Sequence, residues 1–149
     1  MKADKLAWAY AAGIIDGEGC ILISRQRQCG RSKVYYSLRV AVSMTDAVVP
    51  RWFRQNFGGL VHNKGVRQGK RAGYTWELAT KDCAPFLRGV LPILKIKAKQ
   101  AYWALRFRET VGPRGTHKRS SRTIARQERL YQKLRALKRT PVLCKIRFR

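Results

Sequence analysis

From Leu6 to Ile15 every residue is apolar or small, and no helical spacing collects a polar stripe. Surface helices carry such a stripe, so this pattern predicts a helix over residues 5–16 that is covered all round. In a chain of 149 residues its own sheet can cover one side and a partner molecule the other. Asp4 stands where a side chain caps the first turn, and Gly17-Glu18-Gly19 closes the helix. The period then changes to two. Residues 20–28 alternate Ile21 and Ile23 against Ser24, Gln26 and Gln28, with Arg25 and Arg27 on the inner parity beyond the core's edge. Residues 34–44 set Leu38, Val40, Val42 and Met44 against Ser37, Arg39, Ala41 and Ser43. A Gly-containing basic turn between the two runs predicts an antiparallel hairpin.

Thr45 and Asp46 open a second helix through about Asn56, ended by Phe57-Gly58-Gly59, with Pro50 early enough to be tolerated. A second hairpin pairs residues 60–64 with 74–79, where Tyr74, Trp76 and Leu78 alternate with Thr75 and Glu77. Helices over 80–90, 95–109 and 121–138 follow, interrupted by Pro92 and by the basic stretch GPRGTHKRSS. This order predicts an α+β fold, with a four-stranded antiparallel sheet covered by helices on one face. One domain is expected, with residues 1–111 as its core and 112–149 as a basic linker and a C-terminal helix packed on it.

Charge narrows the partner. With 33 Lys and Arg against 8 Asp and Glu, a net charge of +25 asks for a polyanion, and nucleic acid fits best. A structural RNA-binding protein would satisfy the charge equally well. The ten-residue apolar run is too short to cross a bilayer and lacks a cleavage site, so an intracellular protein without membrane attachment is expected. Four cysteines without a C-x-x-C pair exclude a zinc finger and give no disulfide framework.

The distribution of charge says more than its total. Residues 6–24 hold no Lys or Arg, where about four would fall at the chain's average frequency. Most of the eight carboxylates have ordinary readings: Asp4 as a cap, Asp82 in a helix first turn, Glu109 and Glu128 on basic helices, Glu77 on a strand. Asp46 is ambiguous between helix start and function. Asp16 and Glu18 stand at the C-terminal end of the apolar helix, where the dipole disfavours anions. Acids held there invite a divalent cation with oxygen ligands, such as Mg²⁺.

Ala11-Ala12-Gly13-Ile14-Ile15-Asp16-Gly17-Glu18-Gly19 resembles the motif that names the LAGLIDADG homing endonucleases. The similarity continues in Arg51-Trp52-Phe53, in Phe57-Gly58-Gly59 and in residues 94–101, and so spans roughly residues 5–105. Ala11 replaces the usual Leu, and Glu18 the commoner Asp. The resemblance implies an αββαββα fold whose sheet is a saddle over DNA, with additional C-terminal helices here. Motif helices of two such units pack together, and one copy of the motif implies a homodimer through Ala9, Ala12, Gly13 and Asp16. It implies site-specific double-strand hydrolysis of a long, near-palindromic DNA target with Mg²⁺ or Mn²⁺. Glu18 and the Gly17 carbonyl would hold metal, Lys97 would stand near the scissile phosphate, and Asp46 would orient water. Matching base-reading positions are Ser24, Gln26, Gln28, Ser37, Arg39, His62, Lys64, Arg71 and Thr75. A non-cleaving DNA or RNA binder, an intron maturase or a transcription regulator, is the alternative.

Overall fold

The computed structural model describes residues 3–27, 34–65, 73–112 and 120–139. Helix α1 (Lys5–Gly17) leads into strands β1 (Gly19–Arg27) and β2 (Val34–Met44). Helix α2 (Val48–Phe57) precedes β3 (Leu60–Asn63) and β4 (Tyr74–Ala79). Helices α3 (Thr80–Val90), α4 (Ala98–Arg108) and α5 (Ser121–Arg139) complete the fold. The four strands form one antiparallel sheet in the order β1-β2-β4-β3. The α+β prediction holds, down to the parity of the strands: Ile21, Ile23, Leu38, Val40, Val42, Trp76 and Leu78 are buried under the helices.

Rings fill the space between α1, α2, α3 and the sheet. Trp8, Phe53, Phe57, Trp76 and Phe86 form a continuous cluster, with centroids from 4.5 Å (Phe53–Trp76) to 6.2 Å (Phe53–Phe86) apart. Such tilted pairs contribute beyond their area burial. The Trp76 indole is satisfied by the Gly58 carbonyl at 2.7 Å. Gly59 follows at φ +85°, where a Cβ would meet the Glu77 carbonyl at 2.6 Å. Any other residue there would push β3 away from β4.

Helix α1 is covered by its own chain on one side, where Ala11, Ala12 and Ile15 are buried, and its other side is open, with Leu6 78% and Tyr10 47% exposed. One expectation is corrected. Helix α4 starts at Ala98 rather than near Lys95, because residues 95–97 form a bend whose N–H groups are taken elsewhere. Helix α5 packs on α4 and lies along β1, burying Leu130 and Leu134. Arg25, on the inner parity of β1, reaches its Glu128 at 3.4 Å, and the Tyr36 hydroxyl donates to the same carboxylate.

The Tyr36 hydrogen bond, aided by Gln132 and Arg25, holds the Glu128 carboxyl below its ordinary value, against a smaller opposing effect of burial. A depressed folded-state value stabilises the fold above the unfolded carboxylate's pKa, and that contribution is lost as pH falls through the folded value. The urea-unfolding gap between the wild type and Glu128→Gln should therefore shrink on acidification below about pH 4.5. A gap independent of pH would contradict this anchor for α5.

Candidate active site and nucleic-acid face

Helix α1 and β1 are joined with almost no loop. Glu18 keeps helical torsions (φ −106°, ψ −9°) and donates its N–H to the Ile14 carbonyl at 2.8 Å. At Gly19 a Cβ would lie 2.6 Å from the Ile15 Cα, so only glycine lets the strand start this close to the helix. The last carbonyls of α1 then need a donor. The Lys97 ammonium supplies it, donating to Ile15 at 2.8 Å, Gly19 at 2.7 Å and Gly17 at 3.4 Å. In return the Asp16 carboxylate accepts from the backbone N–H groups of Lys95 (2.7 Å), Ile96 (3.2 Å) and Lys97 (2.9 Å). Each segment thus caps the other, with the charges the two helix dipoles favour.

This exchange accounts for an acid at a helix C-terminus: Asp16 serves the turn that opens α4. It also gives Asp16 a task within the protomer. Burial pushes the Lys97 ammonium below its ordinary pKa; the Asp16 carboxylate is the foremost charge restoring it, and Lys138 adds to the lowering. Lys138, near the end of α5, donates to the Cys20 thiol at 3.2 Å. The basic composition of the C-terminal segment gave no sign that this lysine would reach the end of α1.

Glu18 is different from its neighbours. Its carboxylate is exposed and makes no hydrogen bond or ion pair among the described residues. Asp4 caps α1 through the Ala7 N–H, and Asp46 accepts the Val48 N–H, each at 2.7 Å. Glu77 pairs with Arg39 at 3.4 Å, Glu109 with Arg106 at 3.0 Å, and Glu128 with Arg25. Asp82 lies in the first turn of α3. Every other carboxylate is thus committed to a cap, a helix dipole or an ion pair. No group of three or more His, Cys, Asp or Glu that could hold a metal occurs among the described residues.

The sheet face away from the helices carries most of the expected base-reading residues. The register sets Ser24 opposite Ser37, and Thr75 between Ser43 and His62. Gln26, His62 and Lys64 are exposed, and Ser24, Ser37 and Arg39 half-buried. Arg39 is held by Glu77 from the neighbouring strand, and Lys64 reaches the Ser43 hydroxyl at 3.4 Å. Thr75 departs from expectation: it is 7% exposed and shares a 2.8 Å hydrogen bond with Ser43, which makes it a support for that row rather than a free reader. Gln28 and Arg71 lie outside the described residues. On α1, Ala9 and Gly13 sit on the open face, but Ala12 is 1% exposed and points into the core. Beside that face a shallow groove is lined by Asp4, Leu6, Ala7, Tyr10, Trp52 and Asn56.

No family model and no curated protein matches the sequence. Solved structures do. The chain has the fold of the LAGLIDADG homing endonucleases. Among these, it is similar to I-CvuI in complex with a DNA target (TM-score 0.76, 18% identity, 89% of this chain and 82% of that one). It is also similar to the archaeal intron-encoded I-Vdi141I complexed with DNA (TM-score 0.74, 15% identity, 91% and 86%). A third, I-TnaI, matches over 93% of this chain and 96% of its own (TM-score 0.67, 18% identity). At these identities the likeness is one of fold.

The mutual cap is open to a direct test. Asp16→Asn leaves one acceptor for three N–H groups and turns an amide donor toward them. The loss should be about 1–3 kcal/mol of unfolding free energy, read from urea titration. Wild-type stability would mean that the carboxylate is not bearing those bonds.

Proposed function

We propose that this chain is a divalent-metal-dependent DNA endonuclease of the homing type, acting as a homodimer on a long, near-palindromic duplex. The observation that carries this reading is Glu18, an exposed carboxylate at the end of an apolar helix, without a hydrogen bond or ion pair among the described residues. One carboxylate and the Gly17 carbonyl are hard oxygen donors suited to Mg²⁺, an ion commonly held by one or two carboxylates together with substrate phosphates and water. The small donor set is consistent with a site completed by a second copy's Glu18 and by DNA. Neighbouring structures are in keeping: I-CvuI was solved with DNA in Mg²⁺ and in Ca²⁺. The LAGLIDADG homing endonuclease I-GzeII matches 83% of this chain over only 43% of its own length, so two copies of this chain would approach its size.

In this reading α1 is the contact between copies. Its open face, Leu6, Ala9, Tyr10 and Gly13, combines apolar side chains with small residues that allow close approach. A twofold axis there brings both Glu18 carboxylates together, one for each strand to be cut. The saddle meets the major groove, with Ser24, Gln26, Ser37, Arg39 and His62 toward base edges. Arg39 is aimed by its Glu77 partner. Exposed Lys95 and Lys99 draw the backbone toward Glu18, and Asp46, with one oxygen on the Val48 N–H, orients a water with the other. A divalent ion held by Glu18 and the Gly17 carbonyl would activate water and stabilise charge on the phosphate.

Glu18→Gln should lower Mg²⁺-dependent cutting by orders of magnitude while target affinity survives. Undiminished cutting would overturn the assignment. Site-specific binding by the wild type without cutting under any divalent ion would favour the regulator or maturase alternative. Gly13→Lys should convert the dimer to a monomer in sedimentation at micromolar concentration. Arg39→Ala should cost about 1–3 kcal/mol of target binding and relax preference at one symmetric pair of positions.

A further inference from the structure

The Lys97 ammonium has three N–H donors, and all three are spent on carbonyls where α1 meets β1, those of Ile15, Gly17 and Gly19. Held this way, it has no donor left for a phosphate. One of its acceptors, Gly17, is the carbonyl next to Glu18 that the proposed function gives to the metal. A divalent ion about 2.1 Å from that oxygen would lie within about 5.5 Å of the half-buried ammonium, closer than a Debye length. Like charges so placed repel one another. The backbone around them is tied down: the Asp16 carboxylate holds residues 95–97, and Gly19 is packed closely against Ile15. The side chain of Lys97, a flexible four-carbon stem, can move instead.

We propose that Lys97 is a resident cation at the metal's carbonyl, so that the ammonium and the divalent ion exclude one another. Resting on the reading of Glu18 as a metal carboxylate, this makes Lys97 a positioning residue with two states. Without metal it closes α1 and holds the Glu18 turn in shape. With metal it is turned out toward Lys95 and Lys99, where its three donors become available to a phosphate. DNA favours the second state because its phosphates compensate both cations at once. The chain thereby disfavours metal loading in the absence of DNA.

Mn²⁺ binding to the DNA-free dimer, followed by the EPR signal of the free ion, tests this without any cleavage. Lys97→Gln keeps an amide donor for the carbonyls and removes the charge, and Lys97→Arg keeps the charge. Mn²⁺ should bind about tenfold or more tightly to Lys97→Gln, as expected when a neighbouring cation is removed, and as weakly as wild type to Lys97→Arg. Adding Glu18→Gln to Lys97→Gln should abolish the gain. Should Lys97→Gln not fold, the ¹⁵Nζ resonance of wild-type Lys97 carries the test: protected from exchange without metal, it should lose protection at saturating Mg²⁺. Equal or weaker Mn²⁺ binding by a folded Lys97→Gln, or protection that persists under Mg²⁺, overturns the exclusion and leaves the nuclease reading intact. Absence of Mn²⁺ binding in every variant, with and without target duplex, overturns both.

Discussion

The exchange between Asp16 and Lys97 is the constraint on which the site is built. A helix that ends directly against a strand leaves carbonyls without donors, and a chain that turns sharply before a helix leaves N–H groups without acceptors. Here the two deficits face one another, and one carboxylate and one ammonium settle both. The pairing ties α1 to α4 across some eighty residues of sequence and holds the Glu18 turn against β1. Because the Gly19 junction has no slack, the position of Glu18 relative to the sheet follows from this lock.

The rest of the fold supplies the frame around that junction. Aromatic packing of Trp8, Phe53, Phe57, Trp76 and Phe86 anchors α1 and α2 on one side of the sheet and leaves the opposite face to polar side chains. That face is organised as well as exposed. Glu77 restrains Arg39, and the Ser43–Thr75 pair underlies the row that ends at His62. Helix α5 runs along β1 from the Arg25–Glu128 pair to Cys20, bringing Lys138 to the end of α1. In a chain of net charge +25, carboxylates are scarce, and nearly all are consumed in holding the structure. Glu18 is left over, at the end of a stretch of sequence without Lys or Arg.

Local pattern was enough for much of this. Alternation over residues 20–28, 34–44 and 74–79 determined which side chains lie under the helices, because a strand's side-chain period depends on nothing beyond the strand itself. The apolar run of residues 6–15 determined a helix needing cover, and the acids that end it marked the site. What the sequence could not determine was which of its groups are spent on distant partners. Asp16 and Glu18 look alike in sequence, yet one caps a turn eighty residues away and the other makes no hydrogen bond or ion pair among the described residues. The start of α4, the burial of Thr75, the inward turn of Ala12 and the arrival of Lys138 likewise depend on contacts between remote segments. Only the packed chain decides them, since a hydrogen-bond donor or a cavity wall has no local signature at the residue that needs it.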